Sequence, residues 1–267
     1  MVFLPRSPNS SILLANFALA GRIYHFFQKM LHENLPVTTI FVTLQRKGIM
    51  LYPCKLLIFD FDGTLCDTSA TILASYNDTL SELHLPAVTE SVARATIGLP
   101  LRECYRHFIN NPTEELLDRC YDIHHRYFEK NSKRFRPTLF PGVKSTLEQL
   151  HQHGIVLSVA SSRGHDSLCH ILDDCSILSL FSLVLGAEDV ERAKPDPFPV
   201  LLALRRLGFR AEDTIVVGDM PVDIAMGQGA DCRTIAVDYG NASLEELQMS
   251  NPNAIISCFN ELSEELL

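Results

Sequence analysis

From residue 55 onward the chain alternates between two hydrophobic periods. Short apolar runs rich in β-branched residues read as strands: KLLIF (55–59), IVLSVA (155–160), LVLG (183–186), TIVVG (214–218), RTIAV (233–237) and AIIS (254–257). None shows the strict in–out alternation of a sheet with one wet face, so each is expected to be buried on both sides, as in a parallel sheet covered by helices. Between them lie segments of helical spacing. Over 142–153 Val143, Leu147 and Leu150 share a face, and over 196–207 Phe198, Leu201 and Leu204 do. Gly154 and Gly208 stand where a left-handed residue would close each helix. Strand and helix in alternation predict an α/β fold built on a doubly wound parallel sheet.

One interval breaks the alternation. Residues 67–136 carry only helical period: Ile72, Tyr76, Leu80 and Leu83, then Leu101, Cys104, Tyr105 and Phe108, then Leu117, Cys120, His124, Tyr127 and Phe128, punctuated by Pro86, Pro100 and Pro112. That is too long for a connection within one sheet and predicts an inserted helical cap. The turn-rich RFRPTLFPG (134–142) would be its return hinge. The expected organisation is a catalytic core over 50–66 and 137–267, a cap over 67–136 and an amino-terminal extension over 1–49.

The extension differs in character from the rest. It holds Arg6, Arg22, Lys29, Arg46 and Lys47 against the single acid Glu33, and its apolar run ILLANFALA is too short to span a bilayer. It is expected to be either dispensable, with the compact domain beginning near Met50, or a targeting segment. Composition narrows the picture further. A net charge of −9 lacks the basic footprint of a nucleic-acid binder, and no membrane span is expected. Eight cysteines, with no C-x-x-C pair among them, read as reduced thiols in a cytoplasmic protein. The N-x-S/T triplets at Asn9, Asn77 and Asn241 carry no weight without secretion.

In an open parallel sheet, ligands bind beyond the carboxyl ends of the strands, where strand order reverses. The residues that follow the strands therefore carry the chemistry. After the first come Asp60, Asp62, Gly63 and Thr64; after the second, Ser161, Ser162 and Arg163; after the fourth, Asp219 and Asp223; Lys194 precedes a helix that Pro195 and Pro197 help to start. Carboxylates, hydroxyls and a lysine converging on one crevice suit Mg²⁺ and a phosphate, because Mg²⁺ takes hard oxygen ligands and its charge offsets the repulsion between the acids. An Asp could then attack phosphorus while a second Asp moves protons. Arg102 and Arg163 are candidates to meet a substrate carboxylate or phosphate through a bidentate fork, Arg102 being the more ordinary surface arginine. The pairs His124–His125 and His151–His153 lack zinc spacing and read as amphipathic helix positions.

The four segments DFDGTLCDT, VASSRG, AKPDP and VVGDMPVDIAMG resemble, in order and separation, the signature motifs of the haloacid dehalogenase superfamily, over about residue 54 to the end. The resemblance implies a Rossmann-like core, Asp60 as nucleophile, Asp62 as general acid/base, and Thr64, Ser161, Ser162 and Lys194 as substrate contacts. It further implies Mg²⁺ held by Asp60, Asp219 and the backbone carbonyl of Asp62, with Asp223 in support. The helical insert is similar to the cap of the phosphoglycolate phosphatase-like branch, with ATIGLPLRECY (95–105) as its substrate-facing loop. Asp62 argues for phosphoryl transfer over dehalogenation. The cap lysines, Lys130 and Lys133, lie near the exit hinge and do not suit a phosphonate hydrolase, and the first cap helix lacks the His and Trp of the sugar phosphomutases. Met220 departs from the small hydroxyl residues common at its position. The expected function is an enzyme, a Mg²⁺-dependent phosphomonoesterase acting on a small phosphorylated metabolite. A sugar phosphomutase and a non-catalytic regulatory protein of the same fold are the alternatives.

Overall fold

The computed structural model describes residues 54–267; the segment 1–49, expected to be dispensable or targeting, lies outside the described residues. Among the described residues six parallel strands form one sheet: β1 (Leu56–Phe59), β4 (Val156–Ala160), β5 (Phe181–Leu185), β6 (Thr214–Gly218), β7 (Arg233–Val237) and β8 (Ala254–Ile256), in the order β5-β4-β1-β6-β7-β8. β1 is central, and its Phe59 lies in register with Val159 of β4 and Val217 of β6. After β1 the chain winds outward in one direction through β4 and β5, then returns to β6 on the other side of β1. The strand order therefore reverses beside β1, and the carboxyl ends of β1, β4 and β6 open onto one crevice.

The unbroken apolar run of β1 follows from being covered on both faces. Leu57 and Phe59 pack with Val143, Leu147 and Leu150 of α5 (Val143–Gln152) and with Leu168 and Leu172 of α6 (His165–Asp174). Leu56 and Ile58 face the opposite layer, against Val200 and Ala203 of α7 (Phe198–Leu207) and Met226 of α8 (Pro221–Gly229). Leu201, expected on the buried face of α7, is 45% exposed; the buried face runs instead through Pro199, Val200, Leu202, Ala203 and Leu204. At about 100° per residue Leu201 lies opposite Pro199 and Ala203 and so falls on the wet side. Two short helices, α9 (Leu244–Met249) and α10 (Glu261–Leu266), complete the layers.

Helices α1 (Ser69–Glu82), α2 (Glu90–Arg94), α3 (Leu101–Phe108) and α4 (Glu114–Arg134) occupy the interval between β1 and β4 and bury a cluster of their own, with Ile72, Tyr76, Leu80, Tyr105 and Leu117 at its centre. Tyr76 meets Tyr105 and Phe108 edge-on at centroid distances of 5.6 and 4.8 Å. Both crossings of the chain between helices and sheet layer pass through a two-stranded antiparallel ribbon that the hydrophobic period did not reveal, β2 (Cys66–Asp67) paired with β3 (Thr138–Leu139). His124 is buried among these rings, with its Nδ1 hydrogen-bonded to Tyr105 OH at 2.9 Å. Among the described residues no helix is long and apolar enough to cross a membrane.

Two stability measurements check this packing. Phe59 is fully buried against Phe181 and Phe259, so Phe59→Ala should lower the unfolding free energy by about 3–5 kcal/mol in urea titration. Burial, aided by the charges of His125 and Arg163, lowers the His124 pKa to about 3 from 6.5. The native side chain thus stays neutral where the unfolded one takes a proton, and stability should fall as the pH drops through 6.5. The slope from this residue is at most about 1.4 kcal/mol per pH unit. His124→Asn should flatten the difference in unfolding free energy between pH 7.5 and pH 5.

Candidate active site

β1 delivers the first acid and a tight turn separates the second from it. Asp60 N still continues the sheet ladder, donating to Val217 O at 2.9 Å. The chain then turns at Phe61, whose carbonyl accepts from the amides of Leu65 and Cys66, both at 3.0 Å. Gly63 sits in this turn at φ +92°, and a Cβ there would lie 2.2 Å from Asp219 Oδ2, so conformation and space both demand glycine. The result is that Asp60 and Asp62 point to different partners. Carboxylate oxygens of Asp60, Asp219 and Asp223 lie within 4.8 Å of one another. Asp62 stands apart from them, accepting from Thr68 Oγ1 at 2.5 Å and from Arg163 Nε and Nη2 at 3.0 and 2.5 Å.

β6 and α8 supply the other two acids of the cluster. Asp219 follows Gly218 directly, and Asp223 lies in the first turn of α8, where its Oδ2 accepts from Met220 N at 3.0 Å. Met220 itself is buried in an apolar cluster with Ile224 and Leu247. Lys194 reaches into the cluster and donates to Asp60 Oδ1 at 2.5 Å and to Asp223 Oδ1 at 2.7 Å, with its side chain 2% exposed. Burial alone would lower the lysine pKa, but Asp223 and Asp60 outweigh it and hold the ammonium above its ordinary range. One cation is too few for three acids. Burial and the charge of Asp223 push Asp60 well above the usual carboxylate range against the pull of Lys194, and the same two causes raise Asp219 to about 7. Asp60 Oδ2 is buried with no hydrogen-bond partner among the described residues.

Asp219 is held by three donors: Thr64 Oγ1 at 3.0 Å, Asn241 N at 2.8 Å and Asn241 Nδ2 at 2.9 Å. Thr64, expected as a substrate contact, is wholly buried, and its hydroxyl serves Asp219. Asn241 Nδ2 also lies 3.4 Å from the carbonyl of Asp62, so one amide touches two oxygens of the expected metal set. A Cβ on Gly240 would lie 2.3 Å from Asp219 Cβ, which is how closely the loop after β7 approaches. Sequence reasoning noted Asn241 only as a chance glycosylation triplet. Extending the strand-end rule to β7 would have found it, since Asp238 to Asn241 follow that strand directly.

A cavity of about 1040 Å³ opens between these loops and the inserted helices, lined among others by Asp60, Asp62, Ser161, Arg163, His124 and Phe128. Ser161 Oγ accepts from Arg163 N at 3.2 Å, and Ser162 Oγ donates to Gly98 O of the inserted segment at 2.7 Å. Ser161 and Ser162 thus both line the cavity, but the hydroxyl of Ser162 is engaged across it. Arg102 pairs with Glu114 and Asp118 at the rim.

Comparison with known proteins identifies the family. The family model described as haloacid dehalogenase-like hydrolase matches residues 57–237. A protein of Dickeya dadantii named "Probable phosphatase IndB" is 35% identical over 209 residues, covering 78% of this chain and 91% of that one. The pyrophosphatase PpaX of Oceanobacillus iheyensis is 32% identical over 78% of this chain and 94% of its own, and a phosphoglycolate phosphatase of Photorhabdus laumondii is 29% identical over 78% and 90%. A crystal structure described as a predicted phosphoglycolate phosphatase from Haemophilus somnus superposes with a TM-score of 0.75 at 26% identity, over 80% of this chain and 98% of that one. Motifs, sheet order and relatives agree, and the chain belongs to the haloacid dehalogenase-like hydrolases.

Proposed function

We propose that the protein is a Mg²⁺-dependent phosphomonoesterase that hydrolyses a small phosphorylated metabolite, of phosphoglycolate type, through an aspartyl-phosphate on Asp60. The observation that carries this is Asp60 Oδ2, a buried carboxylate oxygen without a partner at the end of the central strand. Leaving such an atom bare costs about 1–3 kcal/mol, so its retention points to chemistry. The eight cysteines are free thiols, which supports a cytoplasmic location.

The donor set fits a small divalent cation. Three acids face one ammonium, burial and the excess of carboxylate raise Asp60 and Asp219, and all the donors are hard oxygens. Asp60, Asp219 and the carbonyl of Asp62 would hold Mg²⁺, with Asp223 in support. When bound, the ion neutralises the acids and polarises the phosphoryl group. Asp60 attacks phosphorus, and the bond from phosphorus to the leaving oxygen breaks as Asp62 gives that oxygen a proton. Water then attacks the phosphorus of the aspartyl-phosphate; Asp62 takes its proton, and inorganic phosphate leaves with the Asp60 carboxylate restored. Lys194 and Ser161 hold the phosphoryl oxygens throughout.

The purified protein should release phosphate from 2-phosphoglycolate with Mg²⁺ and stop on chelation by EDTA. Asp60→Asn should cut kcat by about 10³-fold or more; full activity in that variant would overturn the mechanism. Asp62→Asn should slow alkyl phosphates by about 10²–10⁴-fold. Its effect on p-nitrophenyl phosphate should be much smaller, because that leaving group departs without a proton. Thr64→Val removes one of the donors that orient Asp219 and should raise the Mg²⁺ concentration for half-maximal activity by about 10–100-fold.

A further inference from the structure

Arg163 is the buried cation of the cavity wall, with its side chain 7% exposed against 36% for Arg102, which is already paired with Glu114 and Asp118. Its Nε and Nη2 clasp both oxygens of Asp62. Nη1 lies 3.3 Å from Ser167 Oγ, and the guanidinium lies 4.3 Å from the ring centroid of Phe128 on α4. The carboxylate assigned to proton transfer is therefore held by a planar fork under an aromatic lid. A carboxylate offers about four acceptor positions, and the fork with Thr68 Oγ1 fills three of those on Asp62, so the acid is hindered both in carrying a proton to a leaving group and in taking one from water. Such a pair, sheltered from solvent, yields most readily to a competitor of the same shape and charge, a second carboxylate or a phosphate. After such an exchange Asp62 would not be stranded, because Thr68 Oγ1 remains on its Oδ1 at 2.5 Å.

We propose that Arg163 is a specificity-determining residue that exchanges partners. Without substrate it holds Asp62; with substrate it moves to an anionic group on the leaving-group side and frees Asp62 to take up a proton from water, which it then gives to the leaving oxygen, an inference that rests on the phosphatase chemistry assigned above to Asp60 and Asp62. The substrate class is then a phosphate ester or anhydride whose leaving group carries its own negative charge, a chemistry that 2-phosphoglycolate and inorganic pyrophosphate share. Recognition and release of the general acid become one event, so an uncharged leaving group binds without unlocking the site.

Phosphate release by the full-length protein with Mg²⁺ tests this with 2-phosphoglycolate, pyrophosphate and methyl phosphate, the last lacking the second anion. Wild type should prefer one of the charged substrates over methyl phosphate by about 100-fold or more in kcat/KM. In Arg163→Met that ratio should fall at least about tenfold, and Arg163→Lys, which keeps the charge without the fork, should fall between. A second measurement needs no variant: formate added in trans, supplying the missing carboxylate, should raise wild-type turnover of methyl phosphate. Equal losses on charged and uncharged substrates in Arg163→Met, or no response of wild type to formate, would overturn the exchange. Failure of the underlying chemistry looks different: full activity of Asp60→Asn, or no release from any of the three substrates, would remove the phosphatase mechanism and the exchange with it.

Discussion

The site depends on one constraint: three carboxylates are buried together with a single ammonium. Lys194, bridging Asp60 and Asp223, is what lets the acids coexist at all in the absence of a metal. Removing a buried countercharge leaves its partners unpaired, which is far costlier than any surface ion pair is worth. The fold meets the constraint by placing two of the acids at the ends of β1 and β6, adjacent parallel strands locked by registered pairs and covered on both faces, and the third in the first turn of α8. Rigid strands hold like charges closer than loops would tolerate. The surplus of negative charge that remains is the same feature that suits the site to a divalent cation.

Much of this was legible because the chemistry sits on regular positions. Buried parallel strands are continuous apolar runs, so all six were evident to within about two residues at each end, β5 beginning two residues earlier than its LVLG core. The strand-end rule then singled out Asp60, Asp219 and Asp223, which the structure brings together, and Lys194, which it places among them. What was missed lies where a side chain's role depends on three-dimensional neighbours. Thr64 follows an Asp-Gly turn and reads as facing the ligand, yet the turn aims its hydroxyl at Asp219. Leu201 fits a stripe with Phe198 and Leu204, but the sheet takes the face centred on Ala203 and Pro199, each two positions and about 200° away from it. The two-residue strands β2 and β3 are too short to carry any period.

The two acids of the opening motif illustrate how a small local device divides labour. Adjacent residues on a strand face opposite sides, so residues two apart would share one. Had the strand continued, Asp60 and Asp62 would have met the same partners. The turn at Phe61 and Gly63 breaks that periodicity, leaving Asp60 in the charged cluster and handing Asp62 to Arg163 and Thr68. One carboxylate is thereby kept in the charged cluster and the other beside Arg163, while both line the cavity.

Besides the packing of Phe128 against the sheet's apolar cluster, three contacts join the inserted helices to the residues around the cavity. Ser162 Oγ meets Gly98 O, Arg94 Nη1 meets Asn241 Oδ1 at 3.3 Å, and Arg163 lies under Phe128. A single hydrogen bond contributes about 0.5–1.5 kcal/mol net, and a cation–π contact about the same at a partly wet site. The insert's own aromatic cluster, with Tyr76, Tyr105 and Phe108 in mutual contact, is held by far more buried area. Motion of the insert as a unit about the β2–β3 ribbon therefore costs less than deformation within it. Each of the three contacts ends on a residue beside the chemistry: Ser162 next to Ser161, Asn241 on Asp219, and Arg163 on Asp62. Opening or closing the insert must then be felt at Ser161, Asp219 and Asp62 together.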